Sequence, residues 1–95
     1  MAVEIVRQEI RAARREEYIV LMDDYGAELH LALPVTFTKE QREASIAAKI
    51  AAHAATQAQL ESYAAANGHD LAPHRAAGQV KRLALRRKNG LAPAA

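Results

Sequence analysis

The spacing of hydrophobic and polar positions changes twice along the chain, and each change marks an element. Tyr18-Ile19-Val20-Leu21-Met22 is a continuous β-rich apolar run. Asp23-Asp24-Tyr25-Gly26 follows with turn chemistry, since Asp bonds local backbone and Gly supplies a positive φ. From Ala27 to Phe37, Leu29, Leu31, Leu33 and Val35 alternate with Glu28, His30, Ala32, Pro34 and Thr36. Period two over that length predicts a β-hairpin between Glu17 and Thr36 with one buried face.

The first sixteen residues fit two patterns. As a strand, Val6, Gln8, Ile10 and Ala12 share a face; as a helix, Val3, Val6, Ile10 and Ala13 form a stripe. Two strands alone are marginal in water, which favours a third strand and a meander.

After Phe37 the period lengthens. Thr38-Lys39-Glu40-Gln41 fits a capping box, and the helical pattern runs to Ala66, where Asn67-Gly68 supplies a stop. A helix of that length spans about 43 Å. A compact globule of this size is about 32 Å across, so the helix must overhang its domain or lie along a neighbour. Ile46, Ile50, His53, Gln57, Leu60 and Ala64 form its seam, and Ala47, Ala51, Ala54 and Ala58 lie beside it. Pro73 suits the first turn of a second, shorter helix that Asn89-Gly90 ends. In it Val80, Leu83 and Ala84 make an apolar stripe opposite Arg75, Gln79, Arg82 and Arg86, and Gly78 weakens it by about 1 kcal/mol. Leu91 to Ala95 reads as an extended tail.

The expected class is therefore α+β: a hairpin or three-stranded meander, one long Ala-rich helix and a short basic helix. Residues 1–66 make the body and 67–95 an arm with no core of its own.

Composition alters this picture. Apolar residues are 51% of 95, but 23 of them are Ala, which buries little area. A chain this short with so few large apolar side chains is not expected to be a self-sufficient monomer. The absence of Cys excludes disulfides, thiol nucleophiles and Cys-ligated zinc. No apolar run reaches membrane-spanning length and Met1-Ala2-Val3-Glu4 opens no signal peptide, so a cytoplasmic origin is the expectation.

Charge divides unevenly. Residues 1–70 carry all 11 acids, whereas Arg75, Lys81, Arg82, Arg86, Arg87 and Lys88 follow without an acid among them. Such a basic arm suits an acidic protein neighbour or the phosphates of a nucleic acid. No aromatic follows Tyr63, so nucleic-acid contact would be with the backbone, sequence-tolerant and salt-sensitive.

Catalytic patterns are missing. His69, Asp70 and His74 share a loop but lack a third ligand at helical spacing, and Ser45 and Ser62 sit inside the long helix without a nucleophile-elbow surround. His53 reads as a core-edge or interchain hydrogen-bonding group. The acidic pairs Glu16/Glu17, Asp23/Asp24 and Glu40/Glu43 suit turns and a helix N-terminus. No catalytic residue, metal, cofactor or small-molecule substrate is expected.

The order of a hairpin, Leu33-Pro34-Val35-Thr36-Phe37-Thr38 and a capped helix resembles small structural or tail-region proteins of tailed bacteriophages. That resemblance covers roughly Tyr18 to Leu60 and implies a virion component assembled in the host cytoplasm, in a tail, baseplate, fibre or connector. It carries over no functional residue. The first expectation is thus a non-enzymatic assembly protein, a homo-oligomer or a partner of other structural proteins, with Ala54, Ala58, Leu60 and Tyr63 making contacts. The second is a small nucleic-acid-binding or regulatory protein acting through the basic arm.

Overall fold

A computed structural model describes residues 2–91, so residues 92–95 of the expected tail lie outside it. Strands β1 (Glu4–Arg11), β2 (Glu16–Met22) and β3 (Glu28–Pro34) precede helices α1 (Lys39–Ala66) and α2 (Ala72–Lys88). The strands form one antiparallel sheet in the order β1-β2-β3, which is the expected meander in an α+β chain.

The register explains why β1 read ambiguously. Ile5 pairs with Leu21 and Arg7 with Val20, so Val6 is an extra residue in a β-bulge. Paired residues share a face, so Ile5, Gln8 and Ile10 lie on one side and Glu4, Arg7, Glu9 and Arg11 on the other. Val6 packs with Val20 and Met22 on that second side. The expected face of Val6, Gln8 and Ile10 is therefore divided by the bulge.

Two small cores result, one on each side of the sheet. Ile19, Leu21 and Leu33 are buried beneath Ile46 and Ile50 of α1, with Val3, Ile5, Leu29 and Leu31 partly buried around them. Val6, Val20 and Met22 are buried on the opposite side, where Leu85 of α2 and Tyr18 cover them. The alternation of β3 ends at Pro34, one pair earlier than the pattern implied. Val35 and Phe37 are exposed instead of joining the core.

Local chemistry places α1 as expected. The Thr38 hydroxyl accepts from the Gln41 amide at 3.1 Å while the Gln41 side chain accepts from the Thr38 amide at 2.9 Å. Asn67 closes the helix and Gly68 follows at φ +70°. The Cα radius of gyration is 14.9 Å and the longest axis 47 Å. A compact chain of this length would have a radius near 12 Å, so the long helix does stretch the molecule.

Gly78 has a different role from the one composition suggested. A Cβ on it would lie 2.1 Å from the Asp24 carbonyl oxygen and 2.6 Å from the Tyr25 Cα. The backbone of α2 rests directly on the β2–β3 turn, a seat only glycine permits. The helix loses propensity there and gains a docking point.

Candidate interaction surfaces

α2 is fastened to the body by its charged side. Arg82 is 7% exposed; its Nε lies 2.8 Å from Glu4 and its Nη1 donates to Asp24 at 2.7 Å and to the Ala2 carbonyl at 2.9 Å. Arg86 donates to the Ile5 carbonyl, and Asn89 donates to the Val6 carbonyl at 2.6 Å. These two carbonyls belong to the bulge and the residue before it, where the ladder is interrupted. Gly78, Arg82, Leu85, Arg86 and Asn89 thus form the inner face, at spacings of four, three, one and three.

The basic residues consequently have unequal fates. Arg82 and Arg86 are committed to the chain's own Glu4, Asp24 and strand carbonyls. Arg75 donates to the Tyr25 hydroxyl at 2.9 Å and lies 3.6 Å from Glu61, while Lys81 reaches the Gly26 carbonyl at 3.4 Å. Arg87 and Lys88 are exposed at the end of α2. The acidic neighbour expected for this segment is, for Arg82, its own body.

The apolar stripe of α2 faces away from the sheet. Val80 is 70% exposed and Leu83 38%, with Ala76 and Ala84 exposed alongside. On α1, Leu60 and Tyr63 are exposed, and so are Ala54 and Ala58. These four do not form one surface. At about 100° per residue, Ala54 and Ala58 fall on the flank roughly opposite Leu60 and Tyr63. Tyr63 stacks on His69 with ring centroids 6.0 Å apart, which gives His69 a structural setting. Asp70 accepts from the Ala72 amide at 3.0 Å at the start of α2.

A groove of about 260 Å³ opens where the sheet meets the start of α1, lined by Ile10, Leu33, Pro34, Val35 and Phe37. Ile10 is 64% exposed at its rim. Arg42 closes one wall through a bidentate bond to Glu17, at 2.7 and 3.2 Å. That carboxylate holds the guanidinium pKa above its ordinary value, against the opposing effect of partial burial.

Two polar clusters are built into the sheet. Asp23, 2% exposed, accepts four bonds: Tyr25 and Ala27 amides on Oδ1, both at 2.9 Å, and His53 at 2.7 Å and Gln57 at 3.1 Å on Oδ2. Burial alone would raise its pKa; the bonds from His53, the Ala27 and Tyr25 amides and Gln57 outweigh it and hold the carboxyl below its usual value. This cluster clamps the hairpin turn beneath α1. Every lone pair of Asp23 is occupied, leaving nothing for a substrate. On the other side of the sheet Tyr18 bonds His30, His30 bonds Glu28 at 3.1 Å, and the Arg11 guanidinium lies 3.8 Å from the Tyr18 ring centre. Glu28 and His30 of that row are exposed, Tyr18 and Arg11 are half-buried, and the row carries both signs of charge beside a small cavity of about 80 Å³ lined in part by Val6, Glu28, His30 and Leu85. Among the described residues, no group of three or more His, Asp or Glu could hold a metal ion, and no helix is long and apolar enough to cross a membrane.

The buried roles of Asp23, Asp24 and Arg82 were not evident in the sequence. The Asp pair read as turn formers, and the residues that bury them lie 30 to 58 positions away. No family model, curated protein or solved structure matches the chain.

Proposed function

We propose that this protein is a non-enzymatic assembly subunit that works in contact with further copies of itself or with other structural proteins. The observation that carries this reading is the orientation of α2. A helix on a free-standing domain turns its apolar stripe to the core and its charges to water. In α2 two of the charges, Arg82 and Arg86, are turned inward, and Val80 and Leu83 are left outside beside the exposed Lys81, Arg87 and Lys88.

Total exposure supports the same reading. The chain exposes 6247 Å², whereas a monomer of 10.3 kDa would expose about 5,350 Å². The excess of about 900 Å² goes with the 47 Å long axis and the half-covered core beside β3. The resemblance to tail-region proteins of tailed bacteriophages suggests a virion as the setting. The nucleic-acid alternative has fewer cations to draw on, because Arg82 and Arg86 already serve the fold.

Sedimentation equilibrium on the purified chain tests the assignment. Self-association, or a monomer that becomes a stoichiometric complex with a co-expressed structural protein, is the expected result. A monomer that shows neither sinks it.

A further inference from the structure

The two edges of the sheet are finished differently, and the β3 edge has the form of a self-pairing surface. The Asp23 amide donates to the Ala27 carbonyl at 3.1 Å, and the Val35 amide donates to the Arg15 carbonyl at 3.0 Å. Both pairs share the register that matches Leu21 with Leu29 and Ile19 with Leu31. Hydrogen-bonded and non-hydrogen-bonded pairs alternate in an antiparallel ladder. Leu29, Leu31 and Leu33 therefore direct their amides and carbonyls at β2, and Glu28, His30 and Ala32 direct theirs away from the sheet. Only Pro34, at the strand's end, lacks an outward N–H.

This edge is guarded only at its ends, by Glu28 and Pro34. Between them it holds no Lys and no bulge, and among the described residues no further strand pairs with it. Its inward residues Leu29 and Leu31 stay partly exposed although they point at α1, so the core itself is open on this side.

We infer that β3 pairs antiparallel with β3 of a second copy about a twofold axis, joining two sheets into one of six strands. The inference rests on the assembly reading above and names its contact. The strand is complementary to itself. A register centred on Leu31 sets Leu29 against Leu33 and Leu31 against its own copy on the α1 side, and His30 against Ala32 and Glu28 against Pro34 on the other. No like charges are opposed, which antiparallel pairing requires.

α1 fits this arrangement. Arg42, near its start, bonds Glu17, and His53 and Gln57, farther along, bond Asp23, so α1 runs in the direction of β2. Viewed from α1 with β2 running upward, β3 is on the right, because the residues facing the viewer send their amides that way. A right-handed helix running upward turns its Ala52, Thr56, Leu60 and Tyr63 flank to the same side. Its small members allow two such helices to approach within the usual 8–10 Å, and its large members are the exposed Leu60 and Tyr63.

Sedimentation equilibrium with hydrogen exchange on the full chain tests the proposal. In the expected dimer the amides of Glu28, His30 and Ala32 are protected, although no strand of the same chain bonds them. Ala32→Pro removes one outward donor without touching the β2–β3 ladder, and Ala32→Lys supplies the common natural edge guard. Each should weaken the dimer by at least about tenfold with an unchanged far-ultraviolet spectrum, whereas Ala54→Glu on the far flank leaves it intact. A dimer that keeps those three amides in fast exchange overturns the edge contact and leaves the assembly reading standing. A wild-type chain that is monomeric throughout, and joins no partner, overturns both.

Discussion

The edges of this small sheet present the same chemical problem and receive opposite treatment. Along β1, a bulge breaks the ladder, Arg7, Glu9 and Arg11 line the strand, and Arg86 and Asn89 take the carbonyls the bulge releases. Along β3 there is neither bulge nor cap, and the core beside it is half covered. α2 thus closes one edge at Ile5 and Val6, and the edge without such a cover is the one to which the pairing proposed above is assigned. The guarded edge accounts for the inverted polarity of α2, because the charged face is the part that can reach backbone carbonyls and carboxylates. The apolar stripe is then left outward by default.

If that contrast is correct, substitutions on the guarded side should cost stability and those on the bare side should cost association. Arg82→Ala is expected to have the largest effect, about 3–5 kcal/mol in chemical denaturation, because it strands the buried Asp24 carboxylate and leaves Glu4 with Arg86 alone. Retention of wild-type stability would mean that α2 is not the guard. Gly78→Ala should cost about 1–3 kcal/mol or more, since its Cβ would collide with backbone that cannot swing aside; a rise in stability, as helix propensity alone predicts, would contradict the close seat.

Asp23 gives the next effect, through acid. Its folded pKa is lowered, so its contribution is full above the unfolded value of about 3.9 and is lost as pH falls toward the folded one. Asp23→Asn should therefore flatten the loss of stability below about pH 4, as followed by thermal unfolding across the acid range. Asn89→Ala should cost about 1 kcal/mol by freeing the Val6 carbonyl on the guarded edge. The smallest change belongs to Ala32→Lys, expected within about 0.5 kcal/mol in the dilute monomer. A larger loss would show that β3 is less open than its pairing indicates.

How much of this was legible depended on how local each signal was. The hairpin and α1 were readable because alternation, Asp-Asp-Tyr-Gly and the Thr38/Gln41 box act over a few residues. β1 was legible as a third strand only because two strands alone are marginal, and its faces were not, because the bulge places Val6 and Arg7 on one face and defeats any fixed period. The side α2 presents was misleading for a related reason. Periodicity identifies two faces, but only the partners choose between them, and the partners of Arg82 lie at Glu4 and Asp24. Of the contact residues expected on α1, all four are exposed, yet they divide between two flanks. The β3 edge was beyond sequence reading altogether, since which amides face outward follows from the Asp23–Ala27 pairing.

The guard of β1 is also late in arriving. Arg82 meets Ala2 across 80 residues of chain, so during synthesis β1 exists before anything that will cover it. At the usual ~5–20 residues per second, the interval between making one and making the other is about 4–16 s. The sheet is complete only at Pro34, so for the last 48 of those residues, about 2–10 s, it has two open edges and the pairing proposed for β3 has a competitor in β1. A ribosome stalled before α2 should therefore display a chain prone to pairing through the wrong strand. On the pairing proposed for β3, completion of α2 is what would leave that edge as the preferred contact.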